Sequence, residues 1–598
     1  MPTARGTDAG VADAAAALTI SPGTSKLFMA SAAATQKFVA TDGSGKDVTD
    51  QVSWSISDAA LGSISSGGLY TTAYPMAYGG SLKVTATLNG DSATATVSIV
   101  VVRPDVLDPS AASDSPQSFS GPATTGAMLG IVYPFDGTML ARNIDQMTLQ
   151  WQADTALKVF RIHAVTSTVE ASFYVGAALC PSGQCSYTFR SGDWQNLTTS
   201  SAGAVVALTV EATAKAGDKV ASAGATLYSS PEDVKGGLYY FSTTLKGIRR
   251  LPFGAKTATI FSTGDTIGCV GCHAVSRDGK KVAVEFGGGD AYVGILDGSN
   301  GSKYLMPIDK TQTNTWNFSS YSPDGSKLIA VSKGTLSVRD GTTGALIQKV
   351  DPAWWGGFKA TTPEWSPDGK SIAFVSVSSG QFVFDQEIID AGDIMVMPYN
   401  NGSFGAATKL VVGAVGKDSN FYPSWSPDSK WIVFASASPP CNSPEITGVS
   451  GCVSYDQKAA RLRLVSADGG SAIELSQATH ALYKTVTWPK FAPFIQRLGS
   501  SEQSSGDLMF LTFSSKFAYG WVVADEARPQ LWMSAIDTSK LNSGSGMDPS
   551  YPPFWLPFQD PNEHNHQAIW TTEVGCALDT DCPSGYNCIA GSCVPIPG

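Results

Sequence analysis

The chain has 598 residues, a formal net charge of −11 and only 15% charged residues. At about 100–200 residues per domain, this length predicts several domains, because a single hydrophobic core does not grow to such a size. With this excess of acidic residues, the sequence shows no stripe of basic residues, which argues against nucleic acid and anionic membrane surfaces as partners. The sequence has no run of about 18 apolar residues, which predicts no membrane span.

The composition indicates an all-β protein, since 61 Gly and 33 Pro residues favour short strands and many turns over long helices. Residues 1–17 lack the apolar core and the flanks of a signal peptide. We expect them to form a disordered leader on a chain from which an export signal has been removed.

Residues 18–103 predict a small antiparallel sandwich. The segments "LKVTATL" and "ATATVSIVV" alternate apolar and polar residues, and Gly, Asp and Asn punctuate this part of the chain. Together with "VSWSISDAALGSISSGGLYTT", they resemble the bacterial Ig-like domain of surface proteins and adhesins. Residues 104–126 follow as a linker rich in Ser, Pro and Ala, a composition that does not favour a packed core.

Residues 127–229 predict a second sandwich. The opening "GIVYPFDGTMLARNIDQMTLQWQADTALKVFRIHAVT" resembles a fibronectin type III-like domain, with Trp151 expected in its core. His163 lies in an alternating strand of this segment, and we interpret it as a half-exposed sheet residue and not as a ligand.

From about residue 232 the chain carries repeats. "VSRDGKKVAVEF" begins at residue 275, "YSPDGSKLIAVS" at 321, "WSPDGKSIAFVS" at 365 and "WSPDSKWIVFAS" at 425, and a diverged copy begins at 491. In each copy a turn of the Pro-Asp-Gly type joins two strands, which predicts the inner hairpin of a propeller blade. These motifs resemble the TolB-type propeller repeat over residues 232–574.

Five repeats leave one blade to be found. "GGLYYFSTTLKGIRRLPF", before the first repeat, is typical of outer strands, and "NHQAIWTTEV", at the far end, is typical of an inner strand. Together they predict a sixth blade that closes the ring and removes both sheet edges. This closure predicts that His564 and His566 are neighbours of Cys269, Cys272 and His273.

The segment "CVGCH", from Cys269 to His273, has the spacing of covalent haem attachment. Two thiols can add to the vinyl groups of haem, and the adjacent imidazole can bind the iron from one side. In register with the other repeats, His273 enters the inner strand of its blade at the mouth of the central channel. We predict haem c here, with His273 as proximal ligand and His566 as distal ligand, followed in preference by His564 or His480.

Two other interpretations of this segment stay open. A disulfide between Cys269 and Cys272 would fasten the entry of the blade and leave His273 as a polar residue, and zinc could bind both thiolates and two nearby histidines. The motif also departs from the cytochrome c family, in which it normally lies on a short helix of a small helical domain with a downstream ligand. No such domain is evident in this sequence.

The other eight cysteines fall into local groups of even number. Such groups are typical of disulfides in oxidising compartments, so we predict an extracytoplasmic protein of the periplasm, the outer-membrane surface or the medium. Two of these groups are pairs, Cys180 with Cys185 and Cys441 with Cys452.

The tail, residues 575–598, holds the last four cysteines. It resembles small disulfide knots at the ends of exported proteins of myxobacterium-like bacteria. Three connectivities are possible, and we favour Cys576 with Cys588 and Cys582 with Cys593.

We therefore expect an exported all-β protein with two β-sandwich domains, a six-bladed β-propeller and a short disulfide-rich tail. A bis-histidine haem has no open position for a substrate, so the expected activity is electron transfer to a redox partner protein. The alternative is a haem-free binding or structural protein whose propeller face and Ig-like modules contact a partner or glycan. The sequence contains no G-x-S-x-G, H-E-x-x-H or P-loop motif, which argues against a hydrolase.

Overall fold

The computed structural model of the protein shows an all-β chain with a few short helices. It describes residues 17–124, 128–144, 146–190, 192–200, 203, 205–264, 268–287, 292–311, 314–383, 386–438, 454, 457–480, 485–498, 506–524, 527–542, 546–582 and 586–596. Within these residues, no helix has the length and apolar character needed to cross a membrane.

The chain contributes to two units of structure. The first contains the described residues up to 124, with residues 156–178 and 199–222. The second contains residues 128–155 and 179–198 and the described residues from 223 onward.

The first half of the chain consists of short strands. Residues 17–124 form β1 (Thr19–Ser21), β2 (Thr24–Met29), β3 (Thr35–Lys37), β4 (Val39–Thr41), β5 (Ser53–Ile56), β6 (Gly62–Ile64), β7 (Leu69–Thr72), β8 (Gly80–Leu88), β9 (Asp91–Val102), β10 (Val106–Leu107) and β11 (Ala123–Thr124). Residues 128–229 form β12 (Leu129–Tyr133), β13 (Met139–Leu140), β14 (Thr148–Ala153), β15 (Val159–Val165), β16 (Val169–Gly176), β17 (Gln184–Thr188), helix α1 (Asp193–Ser200), β18 (Val205–Thr213) and β19 (Val220–Ser229). Short 3-10 helices lie at Ala59–Leu61, Ser115–Phe119, Ala177–Leu179 and Pro181–Gly183.

The core of the first unit lies between two layers of strands. β5, β8 and β9 are antiparallel neighbours, and β9 pairs in parallel with β2. Leu82 and Val84 in β8 alternate with exposed residues, so their side chains share the buried face of the sheet. Phe38 and Tyr70, which belong to the segment around β3, β4 and β7, pack against them and are fully buried. Residues of the two layers thus share one core.

The large sheet of the first unit continues beyond β9. β16 pairs in parallel with β9 and antiparallel with β15, and β15 pairs with β18. In this sheet His163 lies 3.1 Å from Glu170 through Nε2. Residues 104–126 contain β10, which pairs with β16, and the buried residues Ser115 and Ser118. This segment is therefore hydrogen-bonded to the sheet.

A three-stranded sheet of β12, β14 and β17 belongs to the second unit. Trp151 in β14 is fully buried, as expected of a core residue. A disulfide joins Cys180 to Cys185 at the start of β17. The backbone N–H of Trp521 donates to Gln150 Oε1 at 2.7 Å, which ties this sheet to the later part of the same unit.

The described residues from 237 to 571 form six sheets of four or five strands. Their strands are β20 (Gly237–Ser242), β21 (Gly247–Pro252), β22 (Thr259–Thr263), β23 (Val270–Val275), β24 (Lys281–Phe286), β25 (Tyr292–Asp297), β26 (Asn300–Met306), β27 (Ser319–Tyr321), β28 (Lys327–Ser332), β29 (Thr335–Asp340), β30 (Leu346–Lys349), β31 (Lys359–Trp365), β32 (Ser371–Val383), β33 (Gln386–Asn400), β34 (Ser403–Phe404), β35 (Thr408–Val411), β36 (Ser419–Trp425), β37 (Trp431–Ala437), β38 (Ala460–Ser466), β39 (Ile473–Glu474), β40 (Thr487–Arg497), β41 (Asp507–Ser515), β42 (Gln530–Asp537), β43 (Phe554–Trp555) and β44 (Asn565–Thr571). Helices α2 (Ser476–Thr479) and α3 (Thr538–Asn542) and a 3-10 helix at Pro352–Trp355 lie between strands.

These sheets are the six predicted blades. Each blade contributes one inner strand, namely β23, β27, β31, β36, β40 or β44, and each inner strand contacts the inner strand of the next blade. The contact between β44 and β23 completes the circuit. The described residues therefore form a six-bladed β-propeller, in agreement with the repeats.

The repeated turn has a simple hydrogen-bond basis. In the repeat at residue 321, Ser322 Oγ donates to Asp324 Oδ1 at 2.6 Å, and the backbone N–H of Ser326 donates to the same oxygen at 3.0 Å. The bond from Ser322 is the main reason that the pKa of Asp324 falls to about 2. The same pair of bonds recurs at Asp278, Asp368 and Asp428.

The ring is closed by strands from its two ends. β20 pairs with β21 on one side and with β44, more than 300 residues later, on the other. Beside this pairing, the Arg249 guanidinium donates to both carboxylate oxygens of Glu563, at 2.8 and 2.5 Å. Such bidentate, largely buried pairs are among the stronger polar contacts. The predicted sixth blade is confirmed.

The tail forms a hairpin of β45 (Tyr586–Ile589) and β46 (Ser592–Pro595), preceded by a 3-10 helix at Asp579–Asp581. Two disulfides hold it, Cys576–Cys588 and Cys582–Cys593, which is the pairing favoured from the sequence. The predicted pair Cys441 and Cys452 lies outside the described residues.

Ring closure predicts a position-specific effect of adding one methyl group. A Cβ on Gly237 in β20 would lie 1.9 Å from Val574 Cγ2 and 2.8 Å from the carbonyl oxygen of Leu251, whereas a Cβ on Gly130 meets no atom within 4 Å. We expect Gly237→Ala to lower the free energy of unfolding by about 1–3 kcal/mol. The measurement is the urea midpoint followed by tryptophan fluorescence, with Gly130→Ala as the matched control. Equal midpoints for the two variants would contradict this prediction.

Candidate functional site

Five of the six inner strands, all except β27, carry a β-bulge at an equivalent place. In each bulge two residues of the inner strand face a single residue of the second strand. The first residue of each pair has a positive φ of 39–54°; in chain order these residues are Cys272, Thr362, Tyr422, Trp488 and Gln567. The CVGCH segment therefore places Cys272 and His273 in the bulge of β23.

Proline marks the same position in three other blades. The second bulge residue is Pro363, Pro423 or Pro489 in those blades and His273 in β23. Proline has no N–H and occurs within sheets mainly at edges and bulges. A proline in the middle of an otherwise regular inner strand is thus a sequence signal for the bulges, one that the repeat pattern alone does not reveal.

One end of the ring encloses a cavity of about 380 Å³, here called the mouth cavity. Cys269 and Cys272 line it from the start of β23, and His566 lines it from the start of β44. Both cysteines are partly buried thiols. The closure of the ring brings together three of the predicted site residues that are nearly 300 positions apart in the chain.

Aromatic side chains form another wall of the mouth cavity. Trp488 and Phe318 line it, with ring centroids 5.4 Å apart. Trp488 stacks on Tyr422 at 3.7 Å, and the Tyr422 hydroxyl shares a hydrogen bond of 2.6 Å with Ser454 Oγ. This stack holds the indole in place and presents a flat apolar surface towards the thiols.

The mouth cavity also has charged groups. Glu285 in β24 is opposite Gly271 in the strand pairing, lines the cavity and is 1% exposed. Lys246 also lines the cavity and is exposed. The walls thus combine a mainly apolar surface with one carboxylate and one ammonium group, a combination typical of small-molecule and cofactor sites.

His273 does not line the mouth cavity. Its ring is 2% exposed, and Nε2 lies 3.2 Å from the carbonyl oxygen of Tyr239. A carbonyl only accepts, so Nε2 carries the proton and Nδ1 keeps a lone pair. In the described part of the chain, Nδ1 has no hydrogen-bond partner. Nε2 is therefore engaged by the protein.

Burial lowers the pKa of His273 to about 4, because desolvation penalises the imidazolium. The bond to Tyr239 acts in the opposite direction, and the positive charge of Lys490 lowers the pKa further. The imidazole is thus neutral near pH 7.

The structure places the other two candidate histidines elsewhere. His480 follows α2 and stacks on Phe135 with a centroid distance of 4.0 Å. His564 is exposed, and its backbone N–H donates to Thr244 Oγ1 at 3.0 Å. Neither residue lines the mouth cavity, so His566 alone of the three candidate distal ligands contributes to its described walls.

A compact zinc site is not formed by the predicted residues. Within the described ranges, three metal-ligand atoms lie within 4.8 Å of one another at Cys576, Cys582 and Cys593 only, and these sulfurs belong to disulfides. Among the described residues, the ligand atoms of Cys269, Cys272 and a histidine thus do not all lie within 4.8 Å of one another, whereas four-coordinate zinc needs converging ligands.

No family model and no curated protein matches the chain. Among solved structures, TolB from Acinetobacter baumannii is 13% identical, with a TM-score of 0.33, over 61% of this chain and 79% of that one. Kuenenia stuttgartiensis hydrazine synthase is 14% identical, with a TM-score of 0.26, over 54% and 74%. The Dos1 propeller is 11% identical, with a TM-score of 0.29, over 52% and 65%. Scores of this size support no inference about function.

The buried neutral imidazole predicts a loss of stability in acid. Its pKa is about 4 in the folded state and about 6.5 when exposed, so the unfolded chain binds more protons between these values. The stabilising contribution of neutral His273 to the free energy of unfolding is present above about pH 6.5 and is lost as the pH falls to about 4. At 1.36 kcal/mol per pKa unit, the loss amounts to up to about 3 kcal/mol.

Urea midpoints measured from pH 7 to pH 4 test this. We expect His273→Gln to flatten the pH dependence, while His564→Gln, at an exposed position, keeps it. A wild-type slope retained in His273→Gln would show that other groups cause the loss.

Proposed function

We propose that the mouth cavity holds one haem, bound covalently through Cys269 and Cys272 with His566 as iron ligand, and that the protein transfers electrons outside the cytoplasm. The observation that carries this proposal is the presence of both thiols and His566 on the walls of one cavity. The three disulfides among the described cysteines are consistent with an extracytoplasmic protein.

The residues present fit covalent attachment. Each thiol can add its sulfur to one carbon of a vinyl group and its hydrogen to the other, a step that consumes no oxidant and needs the cysteines as thiols. Cys269 and Cys272 are thiols here and line the same cavity. Their spacing of two intervening residues matches the separation of two vinyl groups on one macrocycle.

The walls suit a flat apolar group with charged edges. Trp488 and Phe318 can cover the face of the ring and exclude water from it. Lys246 offers an ammonium group to a propionate at the exposed edge. Buried Glu285 places a polar carboxyl group in this otherwise mainly apolar wall. When bound, haem supplies an iron that gains and loses one electron.

His273 has a different part in this proposal from the one expected of a C-x-x-C-H motif. Its Nε2 donates to Tyr239 in the neighbouring blade, so it joins β23 to β20. His566, on the cavity wall, offers an imidazole nitrogen to the iron instead. The roles of the two histidines are therefore separable by substitution.

A haem-free binding protein is the second candidate. The specific observation in its favour is the orientation of His273, whose preferred metal-binding nitrogen is held by Tyr239. In that case the apolar mouth cavity, lined by Trp488 and Phe318, is the surface that receives a ligand.

Covalent loading is tested on protein made with haem-maturation machinery. We expect denatured protein to retain the mass of one haem and, in alkaline pyridine, the spectrum of haem c. The double variant Cys269→Ala/Cys272→Ala should lose both signals. Cys180→Ala/Cys185→Ala, which removes another closely spaced pair, should keep them. Wild-type protein without bound haem would favour the second candidate.

Iron ligation by His566 predicts a contrast between two neighbouring histidines. We expect His566→Ala to change the visible spectrum of the loaded protein, because an axial nitrogen of the iron is lost. His564→Ala, two residues away and outside the cavity, should leave the spectrum unchanged. His273→Gln should also leave it unchanged, and a spectral change there with none in His566→Ala would transfer the ligand role to His273.

A further inference from the structure

The central channel has a second cavity at its other end, here called the funnel cavity. The mouth cavity touches the starts of the inner strands, whereas the funnel cavity touches their ends and the turns that follow. It has a volume of about 140 Å³, room for several water molecules or one small organic ion. Its walls include Arg277, Glu364, Lys490, Trp365 and Trp425.

The carboxylate in the funnel cavity already accepts three hydrogen bonds. Glu364 Oε1 accepts from Ser424 Oγ at 2.9 Å and from the backbone N–H of Trp425 at 3.2 Å. Its other oxygen, Oε2, pairs with Lys490 Nζ. The Trp425 indole N–H donates to the backbone carbonyl of Glu364 at 3.1 Å, which further fixes this residue. Glu364 therefore has little capacity left to accept from a ligand.

The cations in the cavity have donors to spare. Lys490 has three N–H groups, of which its described contacts use one, for Glu364. Arg277 has five N–H groups, and its described bond is a long one of 3.4 Å from Nη2 to the carbonyl oxygen of Pro493. With one carboxylate and two cationic side chains, the formal charge of the cavity is positive.

Burial affects both the charge of Lys490 and its attraction to an anion. The Lys490 side chain is 21% exposed, and burial lowers its pKa to about 7. Its ion pair with Glu364 acts in the opposite direction, and a bound anion would favour the ammonium form further. The indoles of Trp365 and Trp425 donate their N–H groups to protein carbonyls, so what they present to the cavity is apolar. Low-dielectric walls of this kind increase the attraction between opposite charges.

We propose that the funnel cavity is a binding site for a small anion, either a carboxylate or an inorganic oxyanion, held by Lys490 and Arg277. The spare N–H donors of Lys490 and Arg277, the hydrogen-bonded carboxylate and the cavity volume of about 140 Å³ together favour a small ligand that accepts hydrogen bonds. A metal cation would meet two positive side chains, which disfavours it as the ligand. This site is independent of haem in the mouth cavity.

Calorimetric titration of the full chain with acetate and, separately, with inorganic phosphate tests the proposal at constant ionic strength. We expect at least one probe to bind, and the one that binds identifies the class of anion. Arg277→Gln should weaken binding about tenfold or more, the effect expected on loss of a charged donor. Lys246→Met, which removes a lysine from the mouth cavity, should leave the affinity unchanged.

Lys490→Met leaves Glu364 without its cation and can impair folding, so the double variant Lys490→Met/Glu364→Gln provides the second test. It replaces the ion pair by two neutral groups, and we expect it to lose binding as well. The proposal is overturned if neither probe binds to the wild-type chain. It is also overturned if both funnel variants bind as the wild type does, or if Lys246→Met alone abolishes binding.

Discussion

The backbone hydrogen bonds between β44 and β20 join the end of the propeller to its beginning, and both cavities of the ring depend on them. Glu563, immediately before β44, adds a bidentate pair with Arg249 of β21. A propeller without such a joint would leave two sheet edges exposed and its central channel split along one side. The same joint positions His566 opposite Cys269 and Cys272.

Much of the fold follows from local chemistry that is visible in the sequence. The Ser-x-Asp-Gly turns repeat because one aspartate oxygen, as in Asp324, collects a hydroxyl and a backbone N–H. The sixth blade is predictable by subtraction, since unmatched outer and inner strands remain at the two ends. The bond of residues 104–126 to the large sheet was not predictable, because a composition rich in Ser and Pro does not reveal the pairing of β10 with β16.

The candidate site was predictable in its membership and not in its orientation. The register of the repeats and the closure of the ring predict that His566 lies near the two cysteines, and all three residues line the mouth cavity. The direction of His273 depends on the bulge in β23, where two residues face one and the usual alternation of side chains is interrupted. His480 was misplaced for a similar reason: its loop position is compatible with the mouth, but an aromatic contact with Phe135 holds it elsewhere. Counting residues along a strand does not reveal either effect.

Ring closure also sets an order of assembly. Ribosomes make Cys269 and Cys272 long before His566, because β44 is the last strand of the propeller. A chain interrupted between residues 273 and 565 carries the complete C-x-x-C-H motif but lacks the last strand of the sixth blade and the His566 wall of the mouth cavity. Chemistry at the thiols can therefore begin on an open chain, whereas any property that needs His566 arises only when the final strand docks.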